Sequence, residues 1–221
     1  MLSSRHSFIY VHVPKTGGNS INRLLLPYSD DELYTEKWHD GMNTFGIRGG
    51  HSANKHANLS AYKAYLGEAF DQYRVMISVR HPFPRAVSYY FSPHRWFRER
   101  DDGGWAPEEP VWDEDAFFKL IGSKGFRPAV SYLDVDPRPS PDVVIRTESV
   151  RADIARACKT LGLPDALADQ LPHANLSAAP KGMIKACLAS EDLRDEVERR
   201  FADDMNVFGY ERYQPMSDQQ D

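Results

Sequence analysis

Lys15 opens a short polar, glycine-rich run, Pro14-Lys-Thr-Gly-Gly-Asn-Ser20. The run follows the β-branched and aromatic stretch Phe8-Ile-Tyr-Val-His-Val13 and precedes apolar residues at helical spacing, Ile21, Leu24 and Leu25. Between a strand and a helix such a run can bind an anion. Gly17 and Gly18 let the backbone approach it, the first amides of the helix point at it, and Lys15 adds a full positive charge. Thr16, Asn19 and Ser20 bring short polar side chains that can donate to phosphate oxygens. The same residues also read as a tight turn in which Ser20 caps the helix, and the run alone leaves both readings open. It is not a Walker A loop, where the lysine follows the glycines and precedes Ser or Thr.

A second set of candidates follows the apolar run Val75-Met-Ile-Ser-Val79. Arg80 sits at its carboxyl end, where a planar guanidinium can grip a phosphate through two parallel hydrogen bonds. Ser88 lies in the helix that comes next, and Arg85 shares roughly its face but could equally be solvated. Without the first loop, Arg80 would read as half of a salt bridge and Ser88 as a small core residue. Eight histidines offer a base near neutral pH, so most must be bystanders. Phe45-Gly-Ile-Arg-Gly-Gly-His51 reads as a short strand running into glycines and puts His51 between the two anion-binding stretches. His51 is the first candidate for a general base and His56 the second, while His6, His39 and His94 read as surface residues.

These residues need a scaffold that brings strand ends together. Three β-rich runs, Phe8 to Val13, Val75 to Val79 and Val143 to Ile145, each lead into a loop and a helical pattern. Leu59 to Phe70 reads as a helix with Asn58 or Ser60 as its cap. Val150, Ile154, Cys158 and Leu161 share one helical face that ends at Gly162 and Pro164. A last helix from near Ser190 lines up Leu193, Val197, Phe201 and Met205 and is expected to dock on the sheet. Alternation of this kind predicts an α/β fold, a parallel β-sheet flanked by helices with ligands at the carboxyl ends of the strands. One domain over residues 1–213 and a frayed tail over 214–221 are expected. Asp101 to Pro110 and Asp134 to Pro141 read as loops.

Composition narrows the partners. A net charge of −5 argues against a nucleic-acid partner, and no apolar run approaches the roughly 20 residues needed to span a bilayer. Cys158 and Cys187 lack the spacing of a zinc or redox motif and read as free thiols in a reducing compartment, so a cytoplasmic protein is expected. No metal site is expected. Tyr89 to Trp112, with Trp96, Trp105 and Trp112, could wall a sugar or aromatic site or simply pack a core.

The run Val13-Pro-Lys-Thr-Gly-Gly-Asn-Ser-Ile21 resembles the 5'-phosphosulfate loop of the Golgi-type and bacterial carbohydrate sulfotransferases, the group that includes heparan sulfate 2-O-sulfotransferase. Val79-Arg-His-Pro-Phe-Pro-Arg-Ala-Val-Ser-Tyr-Tyr90 resembles the same family's 3'-phosphate motif. Thinner likeness continues in Ile145-Arg-Thr-Glu-Ser149 and Asp204 to Tyr210. Asn19 stands where the family usually has Thr or Ser, and His81 where it often has Asp. The resemblance implies a P-loop-like fold of sulfotransferase type and a donor, 3'-phosphoadenosine-5'-phosphosulfate (PAPS), that leaves as adenosine 3',5'-bisphosphate without a metal.

It also implies site residues. Lys15, Thr16, Gly17, Gly18, Asn19 and Ser20 would hold the 5' end of the donor, Lys15 also stabilising the leaving phosphate. Arg80 and Ser88 would hold the 3'-phosphate, and His51 would serve as base. A late loop, His173-Ala-Asn-Leu-Ser177 followed by Lys181, would close over the nucleotide through Ser177 and Lys181, although a solvated loop explains those residues equally. The acceptor would carry a hydroxyl, with a glycan favoured. A small nucleotide kinase is the alternative enzyme, but no Asp closes the Val75 to Val79 strand in the Walker B manner. An inactive nucleotide-binding protein is the third reading.

Overall fold

The computed structural model describes residues 1–37, 43–50, 54–137, 140–171 and 180–215. Every residue of the first long strand, β2 (Phe8–His12), is buried, as its β-branched and aromatic sequence requires of a strand covered on both faces. It lies at the centre of a four-stranded sheet with the order β1 (Leu2–Ser3), β2, β5 (Arg74–Val79), β8 (Val143–Arg146). β2, β5 and β8 run parallel, with Val11 opposite Ile77 and Ile77 opposite Val144. The parallel arrangement read from the sequence therefore holds for three strands, and β1 adds a short antiparallel edge.

The chain folds as two compact units, Met1–Arg80 with Ala129–Asn175 and His81–Pro128 with Leu176–Asp221. In the first, Phe8, Tyr10, Met76, Val143 and Ile145 project from one face of the sheet. They pack against Ile21, Leu24 and Leu25 of α1 (Gly18–Leu25) and Ile154, Ala157, Cys158 and Leu161 of α5 (Val150–Leu161). Each large aliphatic side chain so buried contributes roughly 2 kcal/mol. Gly162, in the left-handed region at φ +65°, ends α5 where the sequence places the stop.

Several sequence expectations are corrected here. Phe45 does belong to a strand, β4 (Asn43–Arg48), but β4 pairs antiparallel with β3 (Glu32–Lys37) as a separate ribbon. α2 covers Leu59–Leu66 and then tightens into a 3₁₀ segment, Gly67–Gln72. Neither Asn58 nor Ser60 caps α2 with its own side chain. The Asp134 carboxylate accepts from the Ser60 N–H at 2.9 Å, the Ser60 hydroxyl at 2.8 Å and the Asn58 amide at 2.8 Å. Burial alone would raise the Asp134 pKa, but these hydrogen bonds hold it below the usual carboxylate value.

The second unit centres on α3 (Pro82–Tyr90), which packs with α4 (Glu114–Ile121), α6 (Lys181–Ala189) and α7 (Glu191–Arg200). The expected last helix is broken at Phe201, after which α8 (Ala202–Phe208) begins. Leu193, Val197 and Phe201 do share a buried stripe, but it enters the core around Phe83, Val87 and Phe117, not the sheet; Met205 is only half-buried, and Phe208 is buried instead. Trp96 and Trp112 pack around Tyr90 with ring centroids 5.7 and 5.1 Å away, so they pack the core of this unit. Trp105 lies in β7 (Trp105–Pro107), paired with β6 (Phe97–Glu99) inside a stretch read as loop.

Candidate active site

The chemistry-bearing residues of the first unit gather where β2 passes into α1. Gly17 holds φ +72°, a conformation that favours glycine, and turns the chain so that α1 begins at Gly18. Lys15 also lies in the left-handed region, at φ +70°. For a residue with a Cβ this costs about 1–3 kcal/mol, and such strain concentrates at ligand sites. The first turn of α1 contains no acidic residue, and its cap residue, Gly17, brings no side-chain hydrogen bond. Its amides and the charge of Lys15 make a donor set that fits an anion and would repel a cation.

Gly18 is required for a second reason. A Cβ there would stand 2.1 Å from Cδ2 and 2.2 Å from Nε2 of His12, so its absence lets the helix settle on the last side chain of β2. One turn later on the same face, the Asn22 amide donates to Nδ1 of His12 at 2.9 Å, which leaves the proton of the neutral ring on Nε2. Burial pushes the His12 pKa well below the ordinary histidine range, and neighbouring His56 and Lys55 push the same way.

His56 lies against this histidine, with ring centroids 4.3 Å apart. Its Nδ1 is 2.9 Å from the carbonyl oxygen of His12, and because a carbonyl only accepts, Nδ1 carries the proton. Nε2 of the neutral ring is then the basic nitrogen, the arrangement of a histidine oriented as a proton acceptor. Beside it, Lys55 donates to Oδ1 of Asn19, the second residue of α1, at 3.1 Å. Burial lowers the Lys55 pKa.

The loop residues do not all face the same way. The Thr16 hydroxyl is 1% exposed, donates to the Val13 carbonyl at 2.7 Å and shares a 2.7 Å hydrogen bond with Ser78. The Thr16 hydroxyl is thus turned into the protein. Ser20 is buried, whereas Lys15, Asn19 and Gly17 are half-buried. Arg80 follows directly on β5 and is half-buried, in the first unit. Ser88 is half-buried on α3, in the second. His51 and Ser177 lie outside the described residues, and Lys181 is the exposed first residue of α6.

Arg85, which the sequence leaves open between the face of Ser88 and solvent, is 1% exposed: it donates to the Arg127 carbonyl at 2.7 Å, lies 3.6 Å from Asp204 and covers the Phe126 ring. His81 takes over the capping role that an Asp would have. Its Nδ1 accepts from the Phe83 N–H at 3.2 Å, and its Nε2 donates to the Glu211 carbonyl at 2.9 Å. Sequence reading missed Lys55 and His12 altogether. Lys55 adjoins His56 and could have been flagged as a cation beside a candidate base, but nothing local in sequence marks His12.

Among the described residues no three or more His, Cys, Asp or Glu side chains are grouped to hold a metal ion, and no helix is long and apolar enough to cross a membrane. Both cysteines are buried free thiols. No curated protein and no solved structure matches the chain. Residues 1–99, which carry the loop, Lys55, His56 and Arg80, match the family described as Sulfotransferase family.

Proposed function

We propose that the chain transfers a sulfuryl group from PAPS to a hydroxyl of an acceptor, with a carbohydrate favoured. One observation carries this reading: a helix start whose glycine cap brings no side-chain hydrogen bond and whose first turn has no acidic residue, preceded by a strained Lys15, within the stretch that matches the sulfotransferase family. PAPS, when bound, supplies the sulfuryl group. The N–H groups of Gly17, Gly18 and Asn19 and the ammonium of Lys15 bind and orient the 5' end, and Lys15 neutralises charge on the departing phosphate, while the Ser20 N–H donates to the Gly17 carbonyl at 3.1 Å. Arg80 takes the 3'-phosphate; the parts of Ser88, Ser177 and Lys181 rest on the resemblance alone.

A hydroxyl attacks poorly while it keeps its proton, so a base is needed. His56 has the required form, with Nδ1–H anchored on a carbonyl and a basic Nε2. His51, read first from the sequence, is the other candidate and is distinguished by mutation below. Isothermal titration with adenosine 3',5'-bisphosphate, compared with ATP plus magnesium, tests the donor. Preference for the bisphosphate is expected; preference for ATP with magnesium would point to a kinase and overturn the reading. A screen of hydroxyl acceptors with labelled PAPS then identifies the second substrate.

A further inference from the structure

We infer that His12 is a positioning residue for His56, its buried ring forming a fixed face against which the ring of the candidate base is set. The inference rests on the reading of His56 as base proposed above, and it gives a role to a residue that the sequence marks only as part of a strand.

The His12 ring is buried and held from three directions. The Asn22 amide donates to its Nδ1 at 2.9 Å, and Gly18 packs so close that a Cβ on it would meet the ring at 2.1 Å. The Tyr10 ring stands nearly parallel to it, with 8° between the planes and 6.2 Å between centroids. A ring so enclosed has little freedom to turn. Another side meets His56, with centroids 4.3 Å apart and planes inclined by 56°. His56 also donates from Nδ1–H to the backbone carbonyl of His12 at 2.9 Å. The two contacts act differently. The hydrogen bond fixes where Nδ1 lies but lets the ring turn about the line to the carbonyl oxygen. Packing on the face of His12 limits that turn and so sets the direction of Nε2, the nitrogen that takes the proton. For the fold alone the arrangement is unfavourable. Asn22 is fully buried and gives its amide to His12, while its Oδ1 has no hydrogen-bond partner among the described residues, which is destabilising for a buried acceptor. An aliphatic side chain at the end of β2 would need neither Asn22 nor a glycine at position 18. Burial also keeps His12 neutral, so it neither adds charge beside the base nor competes for its proton.

The test compares wild type with His12→Gln, which keeps an acceptor for Asn22 but has no ring, and His12→Phe, which keeps a flat ring but has no acceptor. Nitrogen-15 NMR of the histidine rings at about pH 8, where histidine is neutral, reads which nitrogen of His56 carries the proton, its signal being assigned by its loss in His56→Ala. Affinity for adenosine 3',5'-bisphosphate and release of that product from PAPS, with water as the acceptor, are measured beside it. In wild type the His56 proton is expected on Nδ1. His12→Gln is expected to spread it over both nitrogens and to lower turnover about ten- to a hundredfold with bisphosphate affinity nearly unchanged. His12→Phe should melt at a lower temperature, because the Asn22 amide loses its acceptor, yet keep the proton on Nδ1 and most of the turnover. Stability and turnover would then rank the two variants oppositely, which a merely structural role does not produce. In a His56→Ala background His12→Gln should change turnover little, since its effect passes through His56. An unmoved His56 proton or wild-type turnover in His12→Gln overturns the inference, as does an equal loss of turnover in both backgrounds. So does a loss of bisphosphate affinity as large as the loss of turnover, which would make His12 a support of the loop. Should His12→Gln not fold, His12→Phe decides: retained turnover upholds the inference, and lost turnover with wild-type bisphosphate affinity overturns it. If His56→Ala itself keeps wild-type turnover, the base reading fails and the inference with it; if only His12→Gln keeps it, the inference fails alone.

Discussion

Three helices of the second unit and α1 of the first begin in opposite ways. In the second unit α4 begins with Glu114 and Asp115, and Asp113 accepts from the Ala116 N–H at 2.9 Å. α7 begins with Glu191 and Asp192 behind the Ser190 cap, and α8 with Asp203 and Asp204. Its buried arginines also face carboxylates, Arg85 with Asp204 and Arg194 with Glu191 and Asp195. These ends are neutralised from within, as a stable fold prefers. α1 of the first unit has a glycine at its cap, no acid in its first turn, and Lys15 and Lys55 close by. On the donor reading proposed above, the acidic and capped ends serve the fold, whereas the positive charge around the start of α1 serves a partner that brings the negative charge.

The largest test of this contrast concerns the proton. If His56 is the base, His56→Ala should lower turnover about 10²- to 10⁴-fold with adenosine 3',5'-bisphosphate binding nearly unchanged, measured where chemistry limits the rate. His51→Ala, measured beside it, should be much milder. The reverse ranking would return the role to His51. Lys15→Ala should follow, with a fall in turnover of about 10²- to 10³-fold that exceeds its effect on nucleotide affinity, because its charge matters most as the leaving phosphate gains negative charge. Unchanged turnover would leave the strained backbone at Lys15 without a function.

Acid should also act differently at the two kinds of site. His12 is buried neutral among positive neighbours, so its folded pKa lies below its unfolded value. The unfolded chain takes up a proton that the folded chain refuses, and stability is lost as pH falls from about 6.5 towards the folded pKa. That one residue gives a slope of up to about 1.4 kcal/mol per pH unit. Denaturant unfolding of wild type and His12→Gln between pH 7 and 5 should show the slope reduced in the variant, whatever its absolute stability. Parallel curves would show that His12 titrates normally.

The sequence made the strand–loop–helix repeat legible because its apolar runs are continuous and its stops are glycine or proline, as at Val75 to Val79 and Gly162. The loop itself was legible because Lys15, Gly17 and Gly18 sit together. What escaped depends on partners far apart in the chain. Lys55 acquires meaning only beside Asn19, and His12 only when Gly18 leaves room for its ring. Asp134 caps α2 from a stretch with no local helical signal, and the sequence leaves Arg85 open between the face of Ser88 and solvent because its carboxylate neighbour, Asp204, lies far along the chain. The β3 strand, Glu32–Lys37, has no continuous apolar run in its sequence, so only its pairing with β4 defines it.

The smallest expected effect is the one that most directly breaks the contrast between the helix ends. Asn19→Asp gives α1 the first-turn acid that α4, α7 and α8 already possess, and sets a carboxylate where Lys55 now meets an amide. By the helix-end argument it should stabilise the protein without ligand by about 0.3–1 kcal/mol, read from denaturant unfolding in low salt. The gain should shrink in high salt, since the pair is only half-buried. The same carboxylate occupies the lysine and repels an incoming phosphate, so affinity for adenosine 3',5'-bisphosphate should fall as stability rises. Opposite signs of the two changes would be the signature of a helix start kept positive for a ligand. If Asn19→Asp loses stability, or binds the bisphosphate as well as wild type does, the positive charge at α1 is not reserved for an anion, and its difference from α4, α7 and α8 reduces to a difference in capping.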